Sequence, residues 1–381
     1  MKISQVTLKL KSDYDKSLEL LAAGNPDLLI VFASVAFFEL PTFPSLIQRL
    51  FPSTTIVGCS TAGEIAIDRV YDNTCVITSV KFENSSVKSV STRIEGMTDS
   101  HGAGTRLAAA LPKENLAGVL VFGTGVAING SALVIGLQEG LPQGVAISGG
   151  LAADAGAFKQ TWTWGPEGVA DDQIVALGLY GTSIQLNYGT FAGWEPFGPE
   201  RKVTRCEQNV LYELDGERAL DVYKRYLGDY AKDLPGSGLL FPFEMLRYNR
   251  DKSGIFRTIL AIDEVAGSLT LAGDIDANGY LKLMHSSTDQ LIEGAEIAAK
   301  SALDNHHGSG GNALAILVSC IGRKLVMGDR VDEEVEAVAS TLGKNTAITG
   351  FYSNGEIAGT SFHGECRLHN QTMTITWLNE N

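Results

Sequence analysis

Three stretches of the chain are short, continuous apolar runs that end in small or polar residues: PDLLIVFAS (26–34), AGVLVFGTG (117–125) and NALAILVSC (312–320). A run of this length without polar alternation predicts a strand covered on both faces. Apolar positions at helical spacing follow each run. Leu46, Ile47, Leu50 and Phe51 make the first set. Leu133, Val134, Leu137 and Leu141 make the second, behind Asn129 as an N-cap. Val331, Val335, Val338 and Leu342 make the third, with Asp332, Glu333 and Glu334 in the first turn and Gly343 at the end.

Each helix leads to another strand that runs into glycine: TTIVGCSTAGEI, VAISGGLAAD and TAITGFYSNGEI. Two of these elbows repeat one pattern, GCSTAGEIA at 58–66 and GFYSNGEIA at 350–358. A strand–helix–strand unit favours parallel pairing with a right-handed crossover. The stretches CVITSVKF (75–82), DQIVALGLYG (172–181) and CRLHNQTMTITWL (366–378) then read as antiparallel strands. The expected fold class is α/β, with mixed sheets, covering helices and two related domains built on repeated strand–helix–strand units. The join is placed near 215–235, giving domains over 1–215 and 216–381. LDGERALDVYKRYLGDYAKDL (214–234) reads as a helix broken by PGSG (235–238). A second helix, Asp289 to Leu303, opens with a capping box of Ser287 and Gln290.

Composition narrows the function classes. The 381 residues are 44% hydrophobic and 19% charged, enough apolar mass for substantial cores. The net charge is -14 and Lys and Arg form no run, which argues against nucleic acid and against an anionic membrane surface as partners. No apolar run approaches the ~20 residues that span a bilayer. MKISQVTLKL alternates like a strand and lacks the apolar centre of a signal peptide. Five scattered cysteines suit a reducing compartment, so a cytoplasmic location is expected. No C-x-x-C pair marks a zinc knuckle or covalent haem attachment.

Candidate chemistry gathers at the elbows. Ligands of open α/β sheets usually bind at strand ends, where glycine frees backbone N–H groups. Gly58, Cys59, Ser60 and Glu64 of the first elbow are candidate ligand contacts. So are Asp154 of the second, and Tyr352 and Glu356 of the third. The alternative is that each acid only caps its own turn. Cys59 or Ser60 at a sharp turn is a nucleophile candidate, but no histidine is paired with it by any motif. FGTGVAING misses the third glycine of the dinucleotide fingerprint, and there is no P-loop and no H-E-x-x-H. The chain is therefore expected not to be an enzyme. Among the histidines, His285 shares a strand face with Leu281 and Leu283, and His369 shares one with Met373, Ile375 and Trp377. Each suits either an axial ligand to haem or a hydrogen-bonded core residue. His363 lies in the loop GTSFHGEC, and His306 and His307 lie in NHHGSGG.

These stretches, together with YGTSIQLNYGTFAGWEPFGP, VTRCEQNVLYELDGERALDVYKRYLG and VSCIGRKLVMGDRVDEEVEAV, resemble the FIST proteins over nearly the whole chain. The resemblance implies an N-terminal and a C-terminal FIST domain and an intracellular signal-sensing module with a small-molecule ligand. One stand-alone branch of the family binds haem and senses nitric oxide. It acts on a histidine kinase, as in a two-component system, or on a cyclic-di-GMP signalling protein. That branch implies haem b here, with axial candidates ranked His285, His369, then His363. Other members are thought to sense amino acids or related metabolites. A homodimer is a further option. Ser319, Cys320 and Arg323 fall on the SC-x-GR motif, and His369, Asn370 and Thr372 on HNQT. Thr124 and Asn354 depart from the family, which often carries an acid and an aromatic there. Glu64 and Glu356 are expected to face the domain interface.

Overall fold

The computed structural model describes residues 1–10, 12, 14–304, 312–359 and 366–380. His306, His307 and His363 lie outside these residues.

The three apolar runs become strands, each paired in parallel with the strand after its helix. Leu28–Ala33 joins Thr55–Ser60, Leu116–Gly123 joins Ala146–Leu151, and Ala313–Cys320 joins Thr346–Ser353. Every residue of Leu28–Ala33 and Ala313–Cys320 is buried, which is why neither alternates. An antiparallel strand lies beside each first strand: Thr74–Lys81, Gln173–Tyr180 or Met373–Glu380. Edge strands Lys2–Lys9, Ser86–Arg93 and Ile184–Phe191 follow. A short hairpin completes the opposite side, giving three six-stranded sheets of one order.

That hairpin is always borrowed. The elbow after Ser60 sends Glu64–Ala66 and Arg69–Tyr71 into the third sheet. The elbow after Ser353 sends Gly355–Gly359 and Cys366–His369 into the second. The elbow after Leu151 leads to Thr163–Gly165 and Gly168–Ala170 in the first. The exchange closes in a ring, so the three units form a cyclic, three-fold arrangement.

Glycine is required where the paired parallel strands approach most closely. Gly58, Gly149 and Gly350 lie beside Val31, Val121 and Leu317. A Cβ at these glycines would sit 1.9, 2.0 and 2.1 Å from the carbonyl oxygens of those residues. The borrowed strands place Trp164, Ile357 and Ile65 opposite the same glycines.

The inner sheet faces share one core. At its centre Phe32 lies 4.6 Å from Phe351 and 5.7 Å from Phe122, centroid to centroid. Helix pairs cover the outer faces: Asp15–Ala23 with Thr42–Leu50, Ser100–Ala110 with Gly130–Gly140, and Thr288–Asp304 with Asp332–Leu342. The fold is thus α/β with mixed sheets and covering helices, and the strand–helix–strand unit recurs in both halves of the chain. Ser287 and Gln290 form their capping box, with Ser287 N–H donating to Gln290 Oε1 at 2.9 Å.

The third unit is interrupted. Between the edge strand Ile184–Phe191 and the helix Thr288–Asp304, an eight-stranded antiparallel sheet begins at Glu195 and ends at His285. It has its own core around Leu211, Tyr223, Leu269 and Leu281. The helix expected over 214–234 is only Ala219–Leu227. Val210–Leu214 and Glu217–Arg218 form a hairpin through Asp215 and Gly216, both at positive φ, and Gly228 at φ 57 ends the helix. A boundary at 215/216 falls inside that hairpin. Among the described residues, no helix is long and apolar enough to cross a membrane.

Candidate functional site

The elbow acids are spent on hydrogen bonds within the protein. Glu64 is buried and accepts from Thr61 Oγ1, from Thr74 N–H at 3.0 Å and from Thr74 Oγ1 at 2.6 Å. Glu356 is buried and accepts from Ser353 Oγ at 2.8 Å, Thr372 N–H at 3.1 Å and Thr372 Oγ1 at 2.9 Å. Asp154 accepts the N–H groups of Phe158, Lys159 and Gln160 at 2.8, 2.7 and 3.1 Å. Burial pushes the carboxyl of Glu64 up to about 7 and that of Glu356 up to about 8.

The other elbow candidates are equally enclosed. Cys59 is fully buried, and burial raises its thiol well above the usual range. Ser60 Oγ donates to Ala153 O at 2.7 Å. Neither offers a nucleophile. Arg323 is fully buried against Glu334, with Nε–Oε1 at 2.7 Å. It also donates to Ala192 O and, at 2.8 Å, to Leu291 O. Tyr352 Oη donates to Glu334 Oε2 at 2.6 Å. As ligand contacts, Gly58, Cys59, Ser60, Glu64, Asp154, Arg323, Tyr352 and Glu356 are therefore corrected to framework residues. Their polar atoms are satisfied inside the protein, and none lines the cavities described next.

Of several cavities among the described residues, two adjoining ones lie where the inserted sheet roofs the second unit beside the carboxyl end of Leu116–Gly123. The larger, about 350 Å³, is lined by Ser131, Gln138, Arg257, Asp274, Asp276 and Arg367 with apolar neighbours. The smaller, about 200 Å³, lies under the loop 125–130 and reaches Asn354 and Asn370. Leu368 lines both, and Ser131 and Asp274 of the first follow directly on Gly130 and Gly273 of the second. The loop is shaped by Thr124, whose hydroxyl lies 3.0 Å from Thr161 Oγ1 and donates to Val126 O at 3.2 Å. Asn129 caps the helix Gly130–Gly140 by accepting from Ala132 N–H at 3.1 Å. Its Nδ2 donates to Asp274 Oδ1 at 3.0 Å, tying the roof to the second unit.

Arg257 dominates the larger cavity. It is 4% exposed and donates only to main-chain oxygens: Asp274 O at 3.0 Å, Phe256 O at 3.0 Å and Leu368 O at 3.3 Å. Within the described residues it has no ion pair. Burial lowers its guanidinium to about 10, so it stays cationic at neutral pH. Ser131 Oγ, buried near the start of the helix Gly130–Gly140, has no partner among the described residues. Gly273 makes room between them: a Cβ there would lie 3.0 Å from Arg257 Cζ and 3.1 Å from Ser131 Oγ. A buried cation, a free hydroxyl and a helix N-terminus together suit an anionic head group. Sequence reasoning missed these residues. Asn129 as a cap, Thr124 and Asn354 as departures and Asn370 in HNQT gave a signal only for the smaller cavity and its loop.

The two described haem-ligand candidates, His369 and His285, line neither cavity. His369 is buried, with Nε2 3.2 Å from Ala358 O, and burial lowers it to about 4. It is a core histidine. His285 is half-buried and packs edge-on against Phe197 at 5.4 Å.

A profile of the FIST N domain matches residues 27–217, and one of the FIST C domain matches residues 219–359. An uncharacterized protein of Methanocaldococcus jannaschii is 24% identical over 336 residues, covering 80% of this chain and 62% of the relative. The chain thus spans under two thirds of that relative's length. Among solved structures, a cyanuric acid hydrolase from A. caulinodans aligns with a TM-score of 0.40 at 8% identity, covering 100% of this chain and 99% of the other. A second cyanuric acid hydrolase aligns at 0.36 and 9%, with the same coverage. The expectation that the chain is not an enzyme is corrected on this finding, because the matched structures are enzymes. At these scores the likeness assigns no reaction to this chain.

Proposed function

From the premise that the chain belongs to the FIST family of ligand-sensing signalling modules, we propose that it senses a small anionic metabolite held between the inserted sheet and the second unit. The observation that carries this reading is Arg257. A buried guanidinium hydrogen-bonded to carbonyl oxygens is costly; the Asp274 carboxylate offsets that cost only in part, since burial still lowers Arg257, and an anionic ligand offsets more of it. Ser131 Oγ completes the anion's contacts. The ligand touches both roof and floor, so binding favours the arrangement in which they are together. A separate signalling protein reads that arrangement. A histidine kinase or a cyclic-di-GMP enzyme is the partner class, on the family resemblance alone.

Calorimetry with a panel of small carboxylic acids and their methyl esters tests the reading. Acids are expected to bind at least tenfold more tightly than their esters, and Arg257→Met is expected to remove the difference. Equal binding of acids and esters by the natural protein overturns it.

A further inference from the structure

The smaller cavity says what the rest of the ligand is. Its walls include Met97, Ile128, Leu151, Phe158, Leu260 and Leu271, and none of the residues lining it is charged. Its volume, about 200 Å³, exceeds the about 150 Å³ of an engineered apolar cavity that takes up benzene. A six-membered ring therefore fits it, and a charged group does not.

Four asparagines break the apolar lining; Asn129 and Asn209 are hydrogen-bonded within the protein, whereas Asn354 and Asn370 each leave an oxygen unpaired among the described residues. Asn370 is 1% exposed, and its Oδ1 has no partner among the described residues. Asn354 donates through Nδ2 to Gly125 O at 3.3 Å, which leaves its buried Oδ1 also without a partner. Both side chains line the chamber. Buried carboxamide oxygens are acceptors, and leaving them unpaired is unfavourable. The ring they receive must bring an O–H or N–H donor.

Arg257 donates to Leu368 O, and Leu368 lines both cavities two residues before Asn370. The cation and the two acceptors thus belong to adjoining compartments. Resting on the anionic reading of Arg257, we infer that the ligand is a carboxylic acid of about phenylacetate size whose ring carries a hydrogen-bond donor. The carboxylate lies on Arg257 and the donor on Asn354 and Asn370. A site built to bond a donor discriminates strongly against the analogue that lacks it.

Calorimetry on the full chain with 4-hydroxyphenylacetate, phenylacetate and 4-methylphenol tests this. The hydroxylated acid is expected to bind at least tenfold more tightly than phenylacetate. Asn370→Leu is expected to erase that ratio. Asn354→Ala, at a half-buried residue, reports the same ratio should Asn370→Leu not fold. Equal affinities for the two acids, or no binding of either in the millimolar range, overturn the inference. Loss of 4-methylphenol binding in Asn370→Leu, with no effect of Arg257→Met on any probe, overturns the carboxylate assignment and the reading beneath it. Loss of acid binding in Arg257→Met with the acid ratio unchanged in Asn370→Leu overturns the donor assignment alone.

Discussion

Glu356 accepts both the N–H and the hydroxyl of Thr372, at 3.1 and 2.9 Å. Glu64 holds Thr74 in the same way, at 3.0 and 2.6 Å. Thr74 opens the strand Thr74–Lys81, and Thr372 immediately precedes Met373–Glu380. Each glutamate therefore latches a borrowed hairpin to the start of the antiparallel strand that follows it. The repeated Gly-Glu-Ile-Ala is a pair of equivalent latches. The second unit has Ala155 in the corresponding place, and Asp154 instead gathers three loop N–H groups.

The latches make stability depend on pH. Burial holds Glu64 at about 7 and Glu356 at about 8, against an ordinary 4.5. The folded state thus binds these protons more tightly than the unfolded chain. That contribution is complete below about pH 4.5 and is lost as pH rises through 7 and 8. Tm is expected to fall between about pH 5 and pH 8.5, and Glu356→Gln to flatten the fall. Melts of both proteins across this range check it. Parallel curves would show that the carboxyl does not carry the dependence.

The glycines at these close strand contacts should tolerate nothing larger. Gly350→Ala places a Cβ 2.1 Å from Leu317 O, a main-chain atom that cannot step aside. Strain of this kind typically costs about 1–3 kcal/mol. Gly236→Ala, where nothing lies within 4 Å and φ is not positive, serves as the neutral control. Urea unfolding of the two variants is expected to separate them clearly. Equal midpoints would contradict the close contact.

The units were legible because each carries its own apolar run and helical spacing. Asn129, the Ser287–Gln290 box and the three parallel pairs all follow from local pattern. The exchange of hairpins was not legible, since Glu64–Ala66 reads the same whichever sheet receives it. The interruption was hidden because the strand Ile184–Phe191 and the helix Thr288–Asp304 belong to one unit but stand far apart in sequence. The cavities failed for a related reason. Arg257, Ser131, Asn354 and Asn370 come from separate segments. Ser131, Asn354 and Asn370 each hold an oxygen without a partner among the described residues, and Arg257 is buried without an ion pair among them, features that no spacing records.

Thiol labelling offers a quick check of burial. Cys59, Cys75, Cys320 and Cys366 are buried, whereas Cys206 is half-buried; burial raises all five thiols, so exposure is what separates them. A thiol reagent under native conditions is expected to label Cys206 first, located by peptide mapping. Fast labelling of Cys59 would contradict the enclosed elbow and reopen it as a reactive site.

Arg323 joins the interrupted unit. Its guanidinium meets Ala192 O just before the inserted sheet and Leu291 O just after it, and it pairs with Glu334 in full burial. Trp194 Nε1 donates to Gln371 O at 2.8 Å, and Gln371 Nε2 donates to Leu239 O at 2.9 Å, so the stems and the sheet are pinned at one point. Arg323→Met leaves the Glu334 carboxylate buried without its cation, a loss of about 3–5 kcal/mol. Arg323→Met with Glu334→Gln removes both charges and is expected to recover much of it. Hydrogen exchange distinguishes a local from a general effect. If the clamp acts as described, the double variant exchanges faster at 192–194 and 289–292 while the strands around Phe32 and Phe351 stay protected. Uniform acceleration across the chain would mean that Arg323 supports the core and not the stems.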